Sequence, residues 1–105
     1  MKTTRKSRKA TRLVAVLYVT MYYTADGVDR AQLMEVYPRH RAYLDEFAKG
    51  GQIQSIGAFL NPGDVGSMAV FRSREAAESF MAKDPFVVEG LVGRHELREW
   101  EPLEY

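Results

Sequence analysis

The chain has 105 residues with 15 Lys and Arg against 14 Asp and Glu, which bounds it to one domain with a modest core. There is no cysteine, so disulfide frameworks, thiolate metal sites and cysteine nucleophiles are excluded, and two widely spaced histidines make a poor basis for a zinc site. The net charge of +1 conceals an uneven distribution: residues 1–12 carry Lys2, Arg5, Lys6, Arg8, Lys9 and Arg12 without an acid, leaving the rest near −5.

Residues 1–12 are expected to form a disordered, solvated tail ahead of a folded domain over residues 13–105. A basic arm of this kind also suits nucleic acid or an acidic membrane surface, and loss of salt-dependent DNA binding on its deletion separates those readings from an incidental polycation. The tail followed by residues 13–25 has the order of a secretory signal. Its alternation and its three tyrosines argue for a strand instead. No stretch approaches the apolar length of a membrane-spanning helix, so a cytoplasmic chain is expected.

Residues 13–23 (LVAVLYVTMYY) are rich in β-branched and aromatic side chains and end at Ala25-Asp26-Gly27, which predicts the first strand. Leu13, Ala15, Leu17, Val19 and Met21 fall on one face, and Val14, Val16, Tyr18 and Tyr22 on the other. A strand that is apolar on both faces is covered on both. The helices of so short a chain cover one face of a sheet, so the other implies a second copy of the chain. Residues 24–35 read as a loop with a helical turn over 29–35 capped by Asp29.

The main helix is expected over residues 38–49. Pro38 suits a first helical position, and Gly50-Gly51 supplies the stop, with Lys49 at the negative end of the dipole. His40, Leu44 and Phe47 fall on one stripe, which puts a histidine at the core edge near the helix start, where the dipole disfavours the imidazolium. Residues 52–60 and 65–72 read as a hairpin about Asn61-Pro62-Gly63-Asp64. Ser73 caps a second helix with Ala76, Ala77, Phe80 and Met81 inward, ending near Lys83. Asp84-Pro85 reads as cap and first position of a short turn over 85–90, and residues 92–100 as the last strand. The order is β-α-β-β-α-β, the ferredoxin-like α+β pattern, without repeats.

Few residues carry chemistry. His40 reads as a general acid or base in a cleft, against a histidine that bonds a carbonyl at the core edge. Asp84 reads as its carboxylate partner or as a plain helix cap, and the two roles are compatible because a capping carboxylate keeps a free oxygen. Arg39 and Arg41 flank His40, and one of them is a candidate for an anionic ligand, although exposed helix arginines need no such role. Tyr18, Tyr22 and Phe59 are candidate aromatic walls. Gly57 and Gly66 interrupt strands, which suggests a bulge or a close approach to the sheet. His95 is as readily a solvated strand residue. There is no Walker, dinucleotide-binding, nucleophile-elbow or zincin motif.

His40 with Leu44, then Gly51, Gly57 and Gly66, then Asp84-Pro85-Phe86 with Gly90, and Trp100 near the end resemble the YCII-related (YciI-like) family. The match spans residues 13–100, and its most specific piece is Asp-Pro-Phe after an alanine-rich helix, with a single histidine on the first helix. The resemblance implies a dimeric α+β barrel of two ferredoxin-like chains packed sheet to sheet, with a cleft in each. It implies a histidine–aspartate pair at His40 and Asp84 as the active site, with no cofactor and no metal. One member type of that family is a dehydrochlorinase acting on a chlorinated hydroxyquinol. The expected function is thus a cofactor-independent lyase or isomerase, of dehydrochlorinase or muconolactone-isomerase type, acting on a small aromatic or lactone metabolite. Tyr18, Arg39, Gly57 and Phe59 are its expected substrate contacts. The alternative is a homodimer that binds a small ligand or is purely structural. The basic extension and the longer polar loop after the first strand depart from the family pattern.

Overall fold

The computed structural model describes residues 12–13, 15–61, 63 and 65–105. Its elements are β1 (Arg12–Leu13), β2 (Leu17–Thr24), α1 (Arg30–Ala48), β3 (Ile53–Ala58), β4 (Val65–Phe71), α2 (Arg74–Lys83), α3 (Pro85–Val88), β5 (Val92–Trp100) and β6 (Leu103–Glu104). The main sheet is antiparallel in the order β3-β4-β2-β5, and β1 pairs with β6 in a separate two-stranded ribbon. This is the ferredoxin-like arrangement, with the sequence-first and sequence-last long strands side by side at β2 and β5.

Alternation along β2 assigns the faces. Tyr18, Thr20 and Tyr22 point towards the helices, beside Phe71, Ala69 and Ser67 of β4. A core of Ala69, Phe71, Ala76, Ala77 and Phe80 forms there, with Tyr43, Leu44 and Phe47 of α1 packed against it. Phe80 sits at its centre, 5.2 Å from the Phe47 ring and 5.4 Å from that of Phe71. The opposite face carries Leu17, Val19 and Val70 as a second apolar cluster, with Met68 alongside.

Several boundaries differ from those expected. The first long strand begins at Leu17 rather than Leu13. Leu17 faces Trp100 and Tyr18 faces Phe71, so both neighbouring ladders run out at that end. Arg12, assigned to the tail by its charge, pairs with Glu104 in the β1–β6 ribbon, while residues 1–11 lie outside the described residues. β3 ends at Ala58, and the hairpin closes through Phe59 N–H donating to the Gly66 carbonyl at 2.9 Å. Pro62 and Asp64 of the expected turn lie outside the described residues.

The larger correction concerns the first helix. The loop is confined to residues 25–29, and the expected helical turn and later start are one continuous helix, Arg30–Ala48, capped by Asp29. The Asp29 carboxylate accepts from Gln32 N–H, and the Gln32 side chain accepts from Asp29 N–H, a reciprocal capping box that nucleates the helix eight residues before Pro38. Pro38 therefore stands inside the helix, where it has no N–H to give the Met34 carbonyl, a defect that costs about 3 kcal/mol in an isolated helix. Tertiary packing of the Val36, His40, Leu44 and Phe47 stripe overrides it. His40 is consequently mid-helix, and the dipole reasoning based on a nearby N-terminus does not hold. The helix stops as expected, with Gly51 at φ +77°.

The second helix follows the sequence closely: the Ser73 hydroxyl accepts from Ala76 N–H, and Ala76, Ala77, Phe80 and Met81 are buried. Asp84 has extended backbone (φ −62°, ψ 125°) as Pro85 requires of the residue before it, and this breaks α2 from α3.

Candidate active site

The site is assembled around one carboxylate. Asp84 is wholly buried, a costly place for a charge unless donors surround it. Three do. Phe86 N–H donates to Oδ1 at 3.0 Å, the helix-cap bond that starts α3. His40 Nδ1 lies 2.8 Å from the same oxygen. The Tyr22 hydroxyl donates to Oδ2 at 2.8 Å. The cap and the partner of His40 are thus the same carboxylate. The donors come from β2, α1 and α3, so the sheet, the long helix and the short turn converge on this group.

An ionised carboxylate only accepts, so the nitrogen facing it carries the proton: His40 is held as the Nδ1–H tautomer. Its other nitrogen, Nε2, has no hydrogen-bond partner among the described residues. The ring is fixed by its neighbours as well as by this bond. Phe86 stacks on it, Phe80 meets it edge-on at 6.4 Å, and Tyr37 is tilted at 6.0 Å. Burial pushes the Tyr22 phenol far above its ordinary range, reinforced by the charge and hydrogen bond of Asp84, so Tyr22 remains a donor. Burial, then the charge of Asp84, also raises Tyr43, whose hydroxyl donates to the Phe80 carbonyl at 2.9 Å.

His40, Tyr22 and Phe86 open onto a cleft of about 690 Å³ between α1 and the sheet, walled by Leu33, Met34, Ile53 and Ile56. Among the described residues three charged side chains reach it, Arg30, Arg41 and Asp45. Arg41 is committed to Asp45 and to the Tyr37 hydroxyl, at 3.1 and 3.3 Å. An apolar cavity with a few convergent polar groups suits a small, largely hydrophobic molecule. Among the described residues no three His, Cys, Asp or Glu side chains gather as a metal site.

The expected site residues separate into two groups. His40, Asp84 and Gly57 are brought together, Gly57 along the cleft wall. Tyr18, Arg39 and Phe59 are not. Tyr18 shares a sheet face with Tyr22 but lies four residues along, packed on the aromatic core with the Arg74 guanidinium 5.6 Å from its ring. Arg39 pairs with Glu89 at 3.0 Å on the surface. Phe59 lies beyond the end of β3 and is 40% exposed. A Cβ on Gly57 meets nothing within 4 Å, whereas one on Gly66 comes 3.1 Å from the Thr24 hydroxyl, so crowding beside the β2 bulge accounts for Gly66 alone. His95 is exposed on β5, opposite Tyr22. The bond from Tyr22 to Asp84 escapes sequence reading. Strand parity put Tyr22 on one face with Tyr18, and a buried phenol needs an acceptor, but nothing local names it. Arg30 falls in the helical turn expected over residues 29–35, which without the continuous helix has no fixed phase relative to His40, so its place at the cleft is hidden.

No helix among the described residues is long and apolar enough to cross a membrane. No curated protein matches the chain by sequence. Among solved structures, the chain resembles the 5-chloro-2-hydroxyhydroquinone dehydrochlorinase of Burkholderia phenoliruptrix AC1100 in complex with 2,5-dihydroxybenzoquinone. The TM-score is 0.63 at 26% identity, over 80% of this chain and 92% of that one. A Shewanella oneidensis protein gives 0.54 at 12% identity, over 90% and 98% of the two chains. A dimeric protein of ferredoxin-like fold and unknown function from Bacteroides fragilis gives 0.52 at 15%, over 83% and 95%. The last two similarities concern the fold alone. The model of the YCII-related domain matches residues 16–101, from just before β2 to just past β5, and the chain belongs to that family.

Proposed function

We propose that the protein is a cofactor-independent lyase or isomerase acting on a small hydroxylated aromatic or lactone, with His40 as the proton-transfer group and Asp84 as its orienting partner. The observation that carries this reading is the state of the imidazole: Nδ1 is tied to a buried carboxylate at 2.8 Å, which leaves Nε2 as the basic nitrogen for a molecule in the cleft. Asp84 also offsets the positive charge that His40 gains when it takes a proton.

Loss of HCl from a chlorinated hydroxyhydroquinone, the substrate class named for the Burkholderia phenoliruptrix relative, illustrates the chemistry. His40 takes a hydroxyl proton and returns it to the chlorine-bearing ring carbon, giving a ketone. A second hydroxyl proton then passes to Nε2 as the carbon–chlorine bond breaks, and chloride leaves with its electron pair. The products are a hydroxyquinone, a proton and chloride, so no external oxidant is consumed. The mostly apolar walls suit a flat ring.

The protein acts as a homodimer in this reading: Met21 and Met68 stand half-buried on the sheet face turned away from the helices, beside Leu17, Val19 and Val70, which the chain itself already buries. The reaction is assigned to the cytoplasm, and no nucleic-acid role is required. The test is turnover of 5-chloro-2-hydroxyhydroquinone and of muconolactone by the wild-type protein and by His40→Ala. Wild-type turnover of either compound, lost by at least a hundredfold in the folded variant, is the expected result. Turnover that survives the substitution removes His40 from catalysis. Tight binding of either compound without conversion favours the ligand-binding alternative.

A further inference from the structure

We propose that Tyr22 is the positioning residue that sets the tautomer of His40, acting through Asp84 without touching the reacting molecule's transferred proton. The two carboxylate oxygens are unequally supplied. Oδ1 receives both Phe86 N–H and His40 Nδ1, whereas Oδ2 receives the Tyr22 hydroxyl and no other donor among the described residues. Asp84 has no access to water, so nothing in solvent replaces a lost donor. Without the phenol, Oδ2 is a bare anionic oxygen in the interior, and the carboxylate meets that cost by rotating to share its remaining donors or by taking up a proton. A protonated or rotated Asp84 no longer requires a proton on His40 Nδ1. The imidazole can then place its proton on Nε2, and the basic lone pair turns from the cleft towards the carboxyl group. The Tyr22 hydroxyl therefore keeps Nε2 basic from the far side of Asp84.

The placement of Tyr22 supports this role. Burial and the nearby charge of Asp84 keep the phenol protonated, so it always offers a proton and never competes for one. It lies on β2, the strand flanked by β4 and β5, where the ladders on both sides hold its backbone. The other titratable or charged groups near the pair among the described residues are Arg30, Tyr37, Arg41, Tyr43 and Asp45 of α1 and exposed His95 of β5, opposite Tyr22, with Glu89 past α3 bound to Arg39 on the surface. Arg41 and Asp45 neutralise one another, and Tyr43 donates to the Phe80 carbonyl rather than to Asp84. Tyr22 is the one side chain besides His40 that bonds this carboxylate among the described residues.

The inference rests on His40 being the cleft's base, and its test avoids turnover so that the two ideas fail separately. Nitrogen NMR of the two histidines of the full chain reads the tautomer and titration of His40 directly, with His95→Gln in each background to assign the two signals, because His95 stands opposite Tyr22 on β5. In the wild-type protein neutral His40 is expected as Nδ1–H alone. Tyr22→Phe should give a mixture containing the Nε2–H form. It should also raise the pH at which the His40–Asp84 pair takes up its next proton by about one unit, since the carboxylate has lost a donor. Tyr43→Phe removes a nearby phenol bonded elsewhere and should leave both readings in place. If Tyr22→Phe does not fold, 3-fluorotyrosine at position 22 supplies a stronger donor of nearly the same shape and should lower the midpoint. An unchanged tautomer and midpoint in Tyr22→Phe, an equal effect of Tyr43→Phe, or an unmoved midpoint with 3-fluorotyrosine overturns the proposal. Loss of turnover in His40→Ala with these NMR results intact bears only on the proposed function.

Discussion

Phe86 lies almost flat on His40, with ring centroids 4.3 Å apart and planes 22° from parallel. The ring that caps the imidazole therefore belongs to the same turn whose N–H holds the Asp84 carboxylate. One short segment, Asp84-Pro85-Phe86, supplies the acceptor for Nδ1 and the surface that limits the ring to a single plane.

Replacing Phe86 with Leu keeps most of the apolar volume but removes the flat face. Stability should fall by about 1 kcal/mol, the usual scale of a volume-conserving swap, as read by urea unfolding. Turnover should fall by roughly tenfold or more, because a small misplacement of a proton-transfer group weakens the reaction strongly. A full rate with the lower stability would show that the stack serves packing only.

Asp84→Asn retains the shape and one acceptor oxygen but turns an amide NH₂ towards groups that are all donors. Breaking a buried charge network of this kind should cost about 3 kcal/mol, measured as a lower urea midpoint. The same variant should lose the Nδ1–H preference of His40. An unfolding free energy equal to that of the wild type would mean that the three bonds contribute nothing net.

Much of this site was legible in the sequence, and the rest was not, for local reasons. Asp84-Pro85 announced a cap, and the Pro85 ring dictated the extended backbone that the structure has at Asp84. His40 stood out as a polar residue on the stripe with Leu44 and Phe47. Pro38 misled, because a proline that suits a first turn is also tolerated mid-helix when the stripe on either side of it is buried. The Asp29–Gln32 box is the stronger start signal, but Asp29 alone reads as a cap, and Gln32 is an ordinary polar residue until its side chain meets Asp29 N–H. The Tyr22–Asp84 bond joins residues 62 apart, and no local pattern encodes such a pairing. Arg39 and Arg41 differ by two positions, and only the helix phase decides that Arg41 reaches the cleft while Arg39 meets Glu89.

The Tyr22 phenol also makes stability depend on pH in a defined direction. Its folded-state value lies above the ordinary 10.0, so above that pH the unfolded chain releases a proton that the folded chain keeps. Its contribution is complete below about pH 10 and is lost as pH rises further, at up to about 1.4 kcal/mol per pH unit. Urea unfolding at pH 8 to 11 (chosen to bracket about one ordinary phenol titration) should show the wild-type protein losing stability more steeply than Tyr22→Phe. Parallel curves would mean that the phenol ionises equally well in both states.

Met21 lies on the sheet face opposite Tyr22, half-buried and next to the Val19 position. If that face joins two copies, Met21→Lys places a charge in the joint at little cost to the separate chain. Sedimentation should report a dimer for the wild-type protein and a monomer for the variant, with the same circular dichroism. Equal masses for the two proteins would point to another covering for the sheet.

The span of the bonds to Asp84 has a consequence for how the site comes into being. Its two side-chain donors lie 44 and 62 residues away along the chain. Neither contact can form within a hairpin or a helix pair built from neighbouring segments, and each requires a long loop to be closed first. No fragment that stops short of Asp84 contains even a rudiment of the site, because the acceptor itself is missing. The protonation state of one imidazole in the cleft thus reports that the chain from its first long strand to its last short helix has come together.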